Sequence, residues 1–141
     1  VELLAFVFDH VTGKSVRGFN LLTLGWTDGF SFIPVAFNML SSAKREKRFK
    51  ETGPRIDRRT NGYKARVSAT MHKPDAAIAM IREALAAGVP AQYILMGTWF
   101  TNEPFIKRIL DCGLDVIGML KNNRQMYHFN GLAALQHTLR G

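Results

Sequence analysis

The chain has a single cysteine, Cys112, so no internal disulfide can form and a disulfide-stapled scaffold is excluded. Cys112 falls on the apolar side of an expected helix, where it is expected to pack as a small hydrophobe in a reducing, cytoplasmic setting. Long apolar runs are missing too. None approaches the roughly 18 residues needed to cross a bilayer, so no membrane partner is expected. The first residues, Val1 to Asp9, contain no basic stretch and are interrupted by Glu2 and Asp9, which argues against a secretory leader. Histidine is scarce, and His128 and His137 have no Cys or His at metal-ligand spacing, which removes an ordinary zinc site. There is no glycine-rich phosphate loop, no nucleophile elbow and no paired cysteine motif. Acids are also in short supply: eleven stand against nineteen lysines and arginines, giving a net charge of +8.

That excess is concentrated. Lys44 to Arg66 holds ten basic residues against Glu46, Glu51 and Asp57. A field of this sign attracts polyanions, and Lys44, Arg45, Lys47, Arg48, Arg55, Arg58 and Arg59 are the candidates for phosphate contact. The segment has little apolar periodicity. It is expected to be a long excursion, helical from Ser42 to Glu51 and irregular beyond, with Gly53-Pro54 and Asn61-Gly62 as breakers.

Around it the pattern is α/β. Asp9 to Lys14 reads as a turn after an apolar strand. Gly18–Thr27 and Phe30–Leu40 read as hairpin arms joined at Asp28-Gly29, a pair suited to the type I′ turn. Both arms are almost continuously apolar, which predicts cover on both faces. Pro34 cannot donate to a ladder, so the second arm is expected at an edge or bulged. Lys73-Pro74-Asp75 opens a helix with Ala77, Ile78, Ile81, Ala84 and Leu85 on one face, ended by Gly88 and Pro90. Tyr93–Met96 reads as a buried strand. Asn102 caps a helix over Glu103–Cys112, with Phe105, Ile106, Ile109 and Leu110 turned inward and Gly113 as its stop. Asp115–Leu120 is a further strand, giving parallel α-β-α-β units with a right-handed crossover. The tail from Tyr127 reads as a short strand and the beginning of a helix.

Functional groups in such sheets gather where strands end. Here that place is Gly97, followed by Thr98-Trp99-Phe100-Thr101. Trp99 and Phe100 either stack on a ligand or plug the core. Lys121, just after the last clear strand, falls on the same rim and could hold a phosphate. Asp9-His10 and His72 are acid–base candidates by composition. Adjacent strand residues point apart, however, so the pair fits a turn, and His72 fits a solvated helix start. Asp28 fits the hairpin turn, and Asp111 with Asp115 fit a solvated joint at the opposite end of the strands.

Several blocks resemble a known family: Val1-Glu2-Leu3-Leu4-Ala5, Phe8-Asp9-His10-Val11, Gly18 to Gly29, Ser31-Phe32-Ile33-Pro34, Ser41-Ser42, Ile94-Leu95-Met96 with Thr98-Trp99-Phe100-Thr101-Asn102, and Val116 to Lys121. In this order they resemble the central region of bacterial insertion-sequence transposases of the DDE type, insertion sequence family 4. The resemblance implies a partial ribonuclease-H-like fold: a mixed sheet with an N-terminal β-hairpin followed by α-β-α-β units. It implies one catalytic-core segment over 1–141, divided into a strand and hairpin region (1–42), a basic insertion (43–70), the α-β-α-β part (71–124) and a tail (125–141). DNA at transposon ends is the implied partner, in the bacterial cytoplasm and at the nucleoid when bound.

In that family three acids hold two Mg²⁺ or Mn²⁺ ions for DNA hydrolysis and strand transfer. The resemblance places the first acid before Val1, the second at Gly97 and the third beyond Gly141. No catalytic acid and no metal site is then expected intact in these residues, so the enzyme class is a DNA transposase while this chain is expected to be inactive. Gly97→Asp alone is not expected to restore activity. Sheet edges left open by the missing first strand are expected to favour self-association. The alternatives are a stand-alone basic nucleic-acid-binding module and a decayed reading frame without activity.

Overall fold

The computed structural model describes residues 1–122, 126–129 and 132–135. The chain divides into two compact units, Val1–Val89 and Pro90–Gly141.

The first unit begins with a hairpin of β1 (Ala5–Asp9) and β2 (Lys14–Gly18), paired antiparallel with Phe8 opposite Ser15. The Asp9 carboxylate builds the turn, accepting the Val11 N–H at 2.9 Å and the Thr12 hydroxyl at 2.8 Å. Gly13 closes it at φ 67°, a conformation that favours glycine. Asp9 is therefore a turn residue, as expected, and its local bonds hold its carboxyl below the usual range, the Thr12 hydroxyl foremost.

A second hairpin joins β3 (Asn20–Thr27) and β4 (Phe32–Leu40). Its register slips between Leu24 and Gly25: Leu24 faces Ala36, while Gly25 faces Pro34. The bulge falls where Pro34 cannot donate, which is the expected consequence of that residue. The expected two-residue turn is not formed. Pairing stops at Thr27–Phe32, and the four residues between are organised by Asp28, whose Oδ1 accepts the N–H groups of Phe30 and Ser31 at 2.9 and 2.7 Å. An aspartate that satisfies two amides stabilises the wider loop over the tight one.

The expectation of cover on both faces of this hairpin is also corrected. One face turns inward with Asn38 and Leu40 buried, and α2 (Lys73–Ala86) lies against it. The other exposes Leu21, Phe37 and Met39. Period-2 geometry forces this division, because only one face meets a helix.

The basic segment differs most from expectation. Only a single 3₁₀ turn, Arg45–Lys47, stands where a helix over Ser42–Glu51 was expected. The chain there runs back along the start of β1, with Leu3 N–H donating to Lys50 O at 2.7 Å and Phe49 N–H to Leu4 O at 2.8 Å. Tertiary pairing of this kind overrides weak helix propensity. A helix does form later, α1 (Asn61–Ala69), where the sequence showed no apolar stripe. The Thr60 hydroxyl oxygen caps it by accepting the Tyr63 N–H at 3.2 Å. Its C-terminal end is tied to β4 through the Ser41 N–H to Ala69 O bond at 2.7 Å.

Helix α2 matches its sequence signature. Pro74 stands in the first turn, Ala76, Ala77, Ile78, Met80 and Ile81 are buried, and Gly88 follows at φ 86°. Ile78 is 2% exposed, and burying such a side chain contributes about 2–3 kcal/mol.

In the second unit β5 (Tyr93–Met96) and β6 (Asp115–Gly118) pair in parallel, linked by α3 (Glu103–Leu110). The parallel unit is as expected. The strand β5 is not buried throughout: Tyr93 and Leu95 are exposed while Ile94 and Met96 are half-buried. Phe105, Ile109 and Leu114 form the buried side of this unit, but Leu110 is half exposed rather than inward. The helix stops at Leu110, short of the expected Cys112, because Asp111 to Gly113 turn away and Gly113 adopts φ 79°. Cys112 sits in that turn, half-buried, and not on a helix face.

The tail holds an antiparallel pair, β7 (Met126–Phe129) and β8 (Leu132–Leu135). The expected tail helix is not found over Leu132–Leu135; His137 and the rest of that expectation lie outside the described residues. Among the described residues the strands form four two-stranded sheets, not the single mixed sheet expected.

Candidate functional site

The parallel register sets Met96 beside Gly118, so the ends of β5 and β6 lie on one rim, and the Met119 N–H donates to Met96 O at 3.1 Å. The chain leaves β5 through Gly97. The Gly97 carbonyl accepts the Phe100 N–H at 3.1 Å and the Thr101 hydroxyl at 3.0 Å, which folds residues 97–101 into a tight turn. Asn102 then caps α3, its Oδ1 accepting the Phe105 N–H at 3.1 Å. Glu103 in the first helical turn is bound to Lys107 at 2.6 Å, a pairing that holds its carboxyl below the usual range.

The two aromatic residues differ in burial. Phe100 is half-buried and packs on Phe105, ring centroids 5.0 Å apart. Trp99 is 56% exposed and meets Phe100 edge-on at 4.8 Å. Thr101 is buried against Gly118, where an added Cβ would come within 2.7 Å of its Oγ1. Gly97 is different: a Cβ there would meet no heavy atom within 4 Å. The turn therefore leaves room for a side chain at position 97 and does not require glycine.

The basic candidates are not equivalent. Lys44, Arg45 and Lys47 are exposed around the 3₁₀ turn, and Arg55 and Arg58 are exposed further on, as is Lys121 beyond β6. Arg59 is exposed but reaches Asp57 at 3.4 Å. Arg48 differs from these: its side chain is 9% exposed, is bound to Glu51 at 2.7 Å and donates to Ser42 O at 3.1 Å. A guanidinium so engaged has fewer donors left for a phosphate. His72 is exposed ahead of α2, and Asp111 and Asp115 are both exposed, as expected of surface positions.

A family model described as DDE superfamily endonuclease matches residues 3–140. The chain belongs to that family. No curated protein and no solved structure matches it. Nucleases of this superfamily typically use divalent metals, which need converging carboxylates. The described residues of this family member do not supply them: no group of three or more His, Cys, Asp or Glu is gathered among them. At the end of β5 the backbone offers Gly97 and no side-chain oxygen, and the nearby Glu103 is held by Lys107. Among the described residues, then, no set of carboxylates is gathered that would suit a two-metal centre.

Sequence reasoning missed one feature of this family member. The excursion folds against α1 and encloses a cleft of about 340 Å³ that includes Arg58, Tyr63 and Arg66. The unexpected α1 supplies one wall. A threonine three residues before a tyrosine was the only local signal for its start.

Proposed function

We propose that this chain is the central part of a DDE transposase of insertion sequence family 4, an enzyme that cuts and joins DNA at transposon ends. The observation that carries the DDE part of the reading is the family match over residues 3–140, nearly the whole chain, and the assignment to insertion sequence family 4 rests on the motif blocks. The β5–turn–α3 arrangement supports it, because position 97 stands at a strand end with space for a side chain. Residues 1–141 form one catalytic-core segment in this reading, with a ribonuclease-H-like arrangement of its strands in the complete enzyme. Gly97 then occupies the place of the second acid, and the chain by itself is inactive.

DNA is held through its phosphates by Lys44, Arg45, Lys47, Arg55, Arg58 and Lys121, with Arg59 shared with Asp57. Binding is expected to be insensitive to sequence and steeply salt-dependent, each neutralised phosphate adding about 0.9 to the slope of log affinity against log salt. The test is a supercoiled-plasmid assay with Mg²⁺ or Mn²⁺ alongside a binding titration. Salt-dependent binding without nicking is expected. Metal-dependent nicking by the purified chain would overturn the inactivity, and failure to bind DNA at low salt would overturn the assignment of the basic segment.

A further inference from the structure

The cleft between the basic excursion and α1 has a composition unlike an ordinary solvated surface. Leu3, 4% exposed, lines it together with Ile56 and Val67 as apolar wall. Three guanidinium groups border it. Two are already neutralised: Arg48 by Glu51 at 2.7 Å, and Arg66 by Glu2 at 2.7 Å. Arg58 has no acidic partner among the described residues. The half-buried Tyr63 uses its backbone N–H in the helix cap, and its phenol has no hydrogen-bond partner among the described residues.

A cleft with one unpaired cation, a free phenol and an apolar wall selects a ligand with one negative charge and a flat, largely apolar body. Its volume is near the lower end of the range for small-ligand sites, enough for one base and its sugar-phosphate and too small for a duplex. An aromatic wall stacks bases without regard to sequence, and a guanidinium fork suits a phosphate. We propose that this cleft binds a single phosphodiester-linked nucleotide, with Arg58 on the phosphate and Tyr63 against the base. Arg66 and Arg48, held by their own carboxylates, keep the walls in place. Placing that nucleotide in single-stranded DNA rests on the DNA reading above; the cleft itself does not.

The dinucleotide dTpdT carries one phosphodiester charge and is the suitable probe, titrated into the whole chain at low salt by calorimetry or saturation-transfer NMR. It is expected to bind. Arg58→Ala and Tyr63→Leu are each expected to weaken binding about tenfold, whereas Arg82→Ala, an exposed position on α2 outside the cleft, changes it less than about twofold. Arg58 is exposed, so its substitution tests the site without disturbing the core. Absence of dTpdT binding, equal binding by all variants, or inorganic phosphate binding as tightly as dTpdT would each overturn the assignment. If dTpdT binds but a short single-stranded thymidine oligonucleotide does not displace it, the cleft stands and the DNA reading fails. If the oligonucleotide binds and dTpdT does not, the DNA reading stands and the cleft is overturned.

Discussion

A Cβ built on Gly97 meets nothing within 4 Å, whereas one on Gly118 comes within 2.7 Å of Thr101 Oγ1 and 3.0 Å of its Cγ2. The two glycines of this rim therefore answer differently to substitution. Gly118→Ala is expected to cost about 1–3 kcal/mol, because Thr101 is buried and cannot move aside freely. Chemical denaturation would measure it, and adding Thr101→Ala should recover part of the loss by removing the clashing atoms. Gly97→Asp, by contrast, is expected to stay within about 0.5 kcal/mol of the parent. An unfolded Gly97→Asp chain would show that the space at position 97 is not available. Next along the turn, Asn102→Ala removes the acceptor for the Phe105 N–H and is expected to cost about 1 kcal/mol, while Asn102→Asp retains most of the cap.

At the scale of elements, sequence signals were reliable where several local causes coincided. Helix α2 has a proline start, an apolar face and a glycine stop, and it forms over Lys73–Ala86 as read. Helix α3 has its Asn102 cap and a buried stripe at Phe105 and Ile109. Helix α1 was illegible because it buries almost nothing but Ala69 and is held by contacts remote in sequence. One of these is Glu2, which accepts from Arg66 Nε at 2.7 Å and from the Gly53 N–H at 3.2 Å, linking the chain start, the excursion and α1. The Arg66 bond, followed by the Gly53 amide, lowers the Glu2 carboxyl below its ordinary value of 4.5. A carboxylate depressed in the folded state contributes stability above its unfolded value, and that contribution is lost as pH falls through the folded value. An NMR titration of the Gly53 amide is therefore expected to show a midpoint below 4.5, with Glu2→Gln abolishing the step. A midpoint at or above 4.5 would show that the link does not hold in solution.

At the scale of the molecule, the described strands pair only two by two, and two-stranded sheets are marginal without further cover. Each unit leaves apolar strand residues open: Leu21, Phe37 and Met39 in the first, Tyr93, Leu95 and Ile117 in the second. Such surfaces and free edges favour association. Sedimentation equilibrium is expected to show concentration-dependent self-association, reduced by Phe37→Lys or Leu95→Lys; a monomer at all concentrations would contradict it. The sequence by itself determined the basic α/β character, the parallel β5–β6 unit, the Pro34 bulge and the two amphipathic helices, since each follows from local spacing or backbone chemistry. Its motif blocks also pointed to a DDE enzyme, which the family match supports. Only the tertiary structure decided which cations are free, because ion pairing joins residues as far apart as Glu2 and Arg66. The tertiary structure likewise decided which hairpin face is covered and that the excursion folds against α1 to make a cleft, because these depend on long-range packing that no local pattern encodes. It also sharpened the glycine at position 97, where the fold supplies the space for a side chain and the sequence supplies none.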